Sequence, residues 1–278
     1  MLGRFGVAAI AATGFCLIAS RVPAQFPPIT DPTSDEQKCE SNAGKTLSKF
    51  TKSKAKCVGK CIGTARKTSG PYGGCFAPYA DPDTDVCIHE SLKGAEAKAR
   101  QGIIKKCSVA GKDSCPECYA ASNCTTGEPF VSNTETNIDP FVILIYCTEA
   151  NTNTPTKEQA KCEDGVSKAL TKFVGSKAKC YDKCNKNMNK GKIAPGSCNP
   201  GAVTDPETQA CIFDSVKGAE AKAAASIDKV CADVPGATPS CYGTGLYQGQ
   251  EWVNLAETPI DNTTAQVACG SPSGAFVD

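Results

Sequence analysis

The first long pattern in the chain is helical and covers about residues Asp35 to Lys67. Its apolar and cysteine positions are separated by three, four or multiples of these numbers, so they share one helix face. That face carries Cys39, Ala43, Leu47, Phe50, Cys57 and Cys61. The pattern predicts a long amphipathic helix with one buried stripe.

A second helical pattern begins at Asp81 and ends near Cys107. An Asp followed by Pro82 and further acids is typical of a helix start. The apolar stripe runs through Ile88, Leu92, Ala95, Ala99 and Ile103. Because glycines and prolines separate the two patterns, we expect an antiparallel helical hairpin.

About forty residues without a helical period follow the second pattern, and they contain one apolar run. This run, typical of a buried strand, is Phe141, Val142, Ile143, Leu144, Ile145 and Tyr146. Two interpretations stay open. The strand is covered by its own hairpin, or it is an edge that recruits another subunit.

The chain repeats itself once, with an offset of 122–124 residues between equivalent positions. The segment Lys93–Ala99 recurs unchanged as Lys217–Ala223, and the helix start at Asp205 matches the one at Asp81. We therefore expect a tandem duplication. The expected organisation is a signal peptide (1–24), a Pro-rich segment (25–34), a first unit (35–147), a linker (148–156) and a second unit (157–278).

The expected fold is mainly α with a small β or irregular part. It consists of two tandem, disulfide-stapled antiparallel helical hairpins, each followed by a short strand or loop tail. The first 24 residues have Arg4, a short apolar run and a small-residue cleavage site, which are typical of a signal peptide. No segment is long enough to span a membrane. The sequence therefore predicts a secreted, extracellular or periplasmic protein.

Cysteine content changes the picture most, since the chain has 19 cysteines and only Cys16 lies in the signal peptide. An even set of eighteen in an exported chain predicts complete disulfide pairing. In an antiparallel hairpin the start of the first helix lies beside the end of the second. We therefore expect Cys39 to pair with Cys107 and Cys162 to pair with Cys231. At the first tip, either Cys57 or Cys61 meets Cys87 and the other meets Cys75. The remaining expectations are a second tip cluster of Cys180, Cys184, Cys198 and Cys211, and the pairs Cys118–Cys147, Cys241–Cys269 and Cys115–Cys124.

Catalytic and metal signatures are weak in this sequence. Cys115 and Cys118 form a C-x-x-C motif without the βαβ pattern of a redox site, so we expect structural disulfides. The single histidine, His89, falls in the second helical pattern, where packing or a surface position is expected. Asp81, Asp83 and Asp85 lack the glycine and glutamate of a calcium loop and fit a helix cap better. No catalytic residue, metal or cofactor is expected.

The overall charge is near zero, with 30 basic and 29 acidic residues, but lysines concentrate in the first helix of each unit. One interpretation is that they favour the helix dipole and face the acids of the second helix. The other is a surface for an extracellular polyanion. Its candidate contacts are Lys45, Lys49, Lys52, Lys56, Lys168, Lys172, Lys177 and Lys179.

The K-C-x-x-x-C motif at Lys56–Cys61 and the K-G-A-E-A-K-A motif at Lys93–Ala99 resemble uncharacterised secreted Cys-rich helical repeat proteins of environmental bacteria. The resemblance covers both units and implies no activity.

Three functions remain as hypotheses. The leading one is an exported, non-enzymatic structural protein that assembles with itself through the strand at Phe141–Tyr146. The alternative is a module that binds an extracellular anionic polymer, without reading a nucleic-acid sequence. The third is a thiol–disulfide oxidoreductase that uses Cys115 and Cys118.

Overall fold

The computed structural model describes residues 33–147, 155–194, 196–243, 246, 248–267 and 269. Nine α-helices lie in these ranges, and no strand does. They are α1 (Ser34–Thr68), α2 (Pro82–His89), α3 (Ala95–Cys107), α4 (Ala121–Thr125), α5 (Glu128–Ile145), α6 (Lys157–Met188), α7 (Pro206–Phe213), α8 (Ala219–Asp228) and α9 (Gly249–Ala265). The mainly helical class is confirmed. The signal peptide, most of the Pro-rich segment and residues 148–154 of the linker lie outside the described residues.

The long helices α1 and α6 begin at matching caps. Thr33 accepts a hydrogen bond from the Glu36 backbone N–H, and the Glu36 side chain accepts one from the Thr33 N–H. Thr156 and Gln159 form the same capping box at α6. Such caps satisfy backbone donors that a helix start otherwise leaves free. The predicted first helix therefore extends over nearly the expected residues.

The expected single helix from Asp81 to Cys107 is wrong, because α2 and α3 are separate helices. The Glu90 carboxylate accepts hydrogen bonds from the backbone N–H groups of Leu92 and Lys93, which stabilises a turn between them. A side chain at Gly94 would come within 2.6 Å of backbone atoms of Ile88 and Glu90, so this turn requires glycine. Leu92, expected in the buried stripe, is 68% exposed.

The expected strand at Phe141–Tyr146 is also wrong, since these residues form the end of α5 and the residue after it. Phe130, Val131, Thr134 and Ile145 are buried along this helix. Six consecutive apolar residues obscure that helical stripe, because the exposed side of the helix is apolar there as well. Helix α9 takes the same place in the second unit.

All eighteen cysteines of the described residues are paired. Cys39–Cys107, Cys162–Cys231 and Cys115–Cys124 agree with the expected pairs. The tip pairs, which the sequence left open, are Cys57–Cys87, Cys61–Cys75, Cys180–Cys211 and Cys184–Cys198.

The expected pairs Cys118–Cys147 and Cys241–Cys269 are wrong. The structure joins Cys118 to Cys269 and Cys147 to Cys241, so both disulfides connect the two units.

The cores explain this exchange. Ile145, Tyr146 and Cys147 pack into the core that contains Phe173 and Trp252 of the second unit. Val267 and Cys269 pack reciprocally into the core of the first unit. Each unit thus ends against the core of the other, and its last cysteine pairs with a cysteine of that other unit.

Candidate functional site

A groove with a volume of about 1500 Å³ lies between α1 and α6. Small residues let the two helices approach closely, since a side chain at Gly175 would lie 3.2 Å from Ser48 Oγ. Lysines line the groove from both helices and from α3. We call these residues the lysine groove: Lys38, Lys45, Lys49, Lys52, Lys56, Lys106, Lys168, Lys172, Lys179, Lys186 and Lys190.

Most of these ammonium groups have no acidic partner in the part of the chain that the structure describes. Within the described residues, only Lys38, Lys45 and Lys186 of the groove lie within 4.0 Å of a carboxylate. The other eight are exposed and form no ion pair there. Like charges that face each other across a concave surface raise its positive potential and attract anions.

The few acids in the groove do little to offset this charge. Asp164 is held by Arg66, with 2.9 Å between Oδ1 and Nη1. Asp182 is shared by Lys186 and Lys45. Burial, and then the neighbouring Glu36, raise the pKa of Glu40 to about 8, so this carboxyl is mostly neutral at pH 7. The groove is therefore strongly positive.

The groove is long and its lysines are regularly spaced. On α1, Lys45, Lys49, Lys52 and Lys56 follow one another every three or four residues, about 4.5–6 Å apart along the axis. On α6 the lysines extend from Lys168 to Lys186, roughly 27 Å of helix, and Lys190 follows just after the helix end. These dimensions fit an extended chain with many anionic groups better than a single small anion.

Seven of the eight candidate polyanion contacts lie in the groove, and Lys177 does not. The Lys177 side chain has no exposed surface, and its Nζ lies 2.5 Å from Glu257 Oε2 and 2.7 Å from Asp261 Oδ1. Including Lys177 among the contacts was therefore wrong. The sequence did contain a signal, because Lys177 falls on the same helix face as the buried Phe173 and Cys180.

The first unit contains the same buried arrangement at the equivalent position. Lys54 Nζ lies 2.5 Å from Glu135 Oε1 and 2.6 Å from Asp139 Oδ1, and its side chain is fully buried. The Tyr79 hydroxyl donates a hydrogen bond to Asp139. A buried ammonium between two carboxylates fixes the last helix of each unit on the long helix, which leaves the other lysines on the outer side.

Sequence reasoning missed two groove residues, Lys38 and Lys106, and it did not select Lys186 or Lys190 as contacts. Lys106 belongs to α3, and its position depends on how α3 packs on α1. Helical periodicity indicates which residues share a face of one helix, but not which helices are neighbours. No pattern in the sequence therefore indicates that Lys106 lies in the groove.

The other candidate residues lie outside the groove apart from Tyr146, which lines one part of it. Cys115 and Cys118 belong to different disulfides, so the C-x-x-C motif does not form the internal disulfide of a redox site. His89 lies in the last turn of α2, with 37% of its side chain exposed. The assembly segment is helical, and Ile145 and Tyr146 in it are buried.

No protein-family model, no curated protein and no solved structure matches this chain. The resemblance to secreted Cys-rich helical repeat proteins stays a prediction. Among the described residues, no helix combines the length and apolar character that a membrane crossing requires.

Proposed function

We propose that the protein is an exported, disulfide-crosslinked binding protein for extended anionic polymers, and that the lysine groove is its binding surface. One observation carries the proposal: eight exposed lysines of one groove have no acidic partner among the described residues. Keeping these charges close together costs free energy, and a bound polyanion removes that cost by replacing small counterions.

Export is part of the same proposal. Nine disulfides fit an oxidising compartment, and extracellular matrices and cell surfaces present anionic polymers there. Lysine rather than arginine lines the groove, and lysine acts as a point charge without bidentate geometry. This composition favours recognition of charge density and not of a particular base or sugar.

The self-assembly hypothesis loses its structural basis. It rested on an exposed edge strand at Phe141–Tyr146, which is helical and packs partly into the second unit. Self-association therefore stays a prediction without a surface assigned to it.

Heparin is a suitable first probe, since it is a linear sulfated chain. We expect the intact, oxidised protein to bind it with an affinity that falls steeply with salt. A triple variant, Lys49→Glu, Lys52→Glu and Lys56→Glu, should reduce the affinity at least about tenfold, because each lysine near a polyanion contributes on the order of 1 kcal/mol. Isothermal titration at several salt concentrations measures both effects.

The matched control reverses three exposed lysines outside the groove, Lys98, Lys217 and Lys222. It changes the net charge by the same amount and should leave most of the affinity intact. If both triple variants lose affinity equally, binding depends on net charge alone and the groove is not the site.

A further inference from the structure

The single histidine lies beside two carboxylates from other helices, away from the lysine groove. His89 is at the end of α2, Glu96 is in α3 and Glu135 is in α5. One potential ligand atom from each of these residues lies within 4.8 Å of the other two. Side chains from three helices thus converge on one point.

The imidazole is oriented for coordination. Its Nδ1 lies 2.6 Å from Asp85 Oδ1, and its Nε2 lies 3.1 Å from Glu96 Oε1. A carboxylate at Nδ1 fixes the tautomer in which Nε2 carries the lone pair, as in many metal-bound histidines. In that tautomer Nε2 and the Glu96 oxygen are both acceptors, so a proton or a cation must lie between them.

The two carboxylates approach the same point. One carboxylate oxygen of Glu96 and one of Glu135 lie within 4.8 Å of each other and of an imidazole nitrogen of His89. Arg100 contacts Glu96 through Oε2, at 3.0 Å, so that Oε1 faces the imidazole. Lys54 contacts Glu135 through Oε1, at 2.5 Å. Basic side chains therefore hold both carboxylates in place behind the point of convergence.

The second unit provides an internal comparison. Glu220 and Glu257 occupy the equivalent positions, but Phe213 replaces His89 and Ala224 replaces Arg100. A carboxylate pair beside a buried lysine is thus present in both units without the histidine being needed for it. The imidazole is a feature of the first unit alone.

We propose that His89, Glu96 and Glu135 bind a divalent transition-metal ion of the Zn²⁺ class, with Asp85 orienting the imidazole. One nitrogen and two carboxylate oxygens suit Zn²⁺, and three protein ligands leave a position for water. Small rotamer changes would bring the three atoms to about 2.0–2.2 Å from the ion. The ion would lie between the imidazole Nε2 and the two carboxylates, and the partly exposed His89 gives it a path from solvent.

Other clusters of potential ligands do not compete with this one. Within the described residues they are Cys39, Cys107 and Cys124, and Glu40 with Cys118 and Cys269. Each of those cysteines is in a disulfide, which removes the thiolate that a metal would bind.

The test uses Zn²⁺ and the intact, tag-free protein. Because the chain has one histidine, its imidazole nitrogen and carbon-bound proton resonances are assigned without ambiguity. We expect Zn²⁺ to shift the Nε2 resonance and to saturate it at one ion per chain. The His89→Phe variant, which copies the second unit, should lose this ion in native mass spectrometry, and heparin binding should not change.

Two results would overturn the proposal. One is an imidazole spectrum that stays unchanged with excess Zn²⁺. The other is a His89→Phe variant that keeps the same stoichiometry and affinity, which would assign the ion to other surface carboxylates. The spectrum of the unsubstituted protein decides the question even if the variant does not fold.

Discussion

Two lysines that are two residues apart in α6 have opposite roles. Lys177 is fully buried between Glu257 and Asp261, whereas Lys179 is exposed in the groove. Charge at the first position holds helices together, and charge at the second faces solvent. The distinction comes from helix geometry, since two residues that are two positions apart are rotated by about 200° around the helix axis and so lie on nearly opposite faces.

This contrast predicts different effects of the same substitution. Lys177→Met leaves two partly buried carboxylates without their cation, which should lower the free energy of unfolding by about 3–5 kcal/mol. Lys179→Met should change stability by less than about 0.5 kcal/mol, as exposed positions usually do. Denaturant unfolding with the disulfides intact measures both values. Equal stabilities of the two variants would contradict the buried ion triad.

Glu220 predicts a pH dependence of stability. Burial, and then its hydrogen bond with Glu257, raise the pKa of Glu220 from 4.5 to about 7. The folded protein keeps this proton at a pH where the unfolded chain has lost it. The stabilising contribution is complete below about pH 4.5 and is lost as the pH rises through about 7.

We therefore expect the melting temperature to fall between pH 5 and pH 8, and the Glu220→Gln variant to show a smaller decrease. Glu158→Gln, at an exposed carboxyl of α6, serves as the control and should retain the dependence of the unsubstituted protein. If the melting temperature falls equally with pH in Glu220→Gln and in the unsubstituted protein, Glu220 is not the group that holds the proton in the folded state.

At the scale of elements, the sequence predicted α1, α6 and the starts of α2 and α7 correctly because their signals are local. A helix cap such as Asp81 and the apolar stripe of α1 can be recognised from residues that are close together in the sequence. The break at Gly94 was missed, since the period of Ile88 and Leu92 before it continues into Ala95 and Ala99 after it. The sequence at the end of α5 predicts a strand instead of a helix, because a short apolar run is typical of both.

The lysine groove shows the same difference between what local patterns predict and what depends on packing between helices. Lys45, Lys49, Lys52 and Lys56 could be selected from one helix, because their spacing puts them on one side. That the lysines of α6 face them across a groove depends on the packing of α1 against α6, for which the sequence carries no local pattern. The convergence of His89, Glu96 and Glu135 likewise joins three helices, and periodicity within a helix does not report it.

At the scale of the whole molecule, the units exchange their ends. The Tyr119 hydroxyl donates a hydrogen bond to the Val267 carbonyl at 2.6 Å, and the Tyr242 hydroxyl donates one to the Ile145 carbonyl at 2.9 Å. Both bonds are buried and both join the two units, at positions that are equivalent under the sequence offset. Each is accompanied by an inter-unit disulfide from the preceding residue, Cys118 or Cys241.

This exchange holds the two sides of the lysine groove at a fixed distance, because α1 and α6 belong to different units. A preformed groove binds with less loss of conformational entropy than one that must assemble around its ligand. Reduction of the inter-unit disulfides should therefore weaken polyanion binding even where every groove lysine is intact. On this proposal, the connectivity contributes to polyanion binding as well as to stability.

A cut in the linker tests the connectivity directly. A specific protease site inserted at residues 148–154 lets the chain be cleaved between the units. With Cys118–Cys269 and Cys147–Cys241 in place, the cleaved protein should migrate as one species in denaturant without reductant, and as two fragments after reduction. Two fragments without reductant would instead support the pairs Cys118–Cys147 and Cys241–Cys269, and each half of the lysine groove would then stand on a unit free to separate from the other.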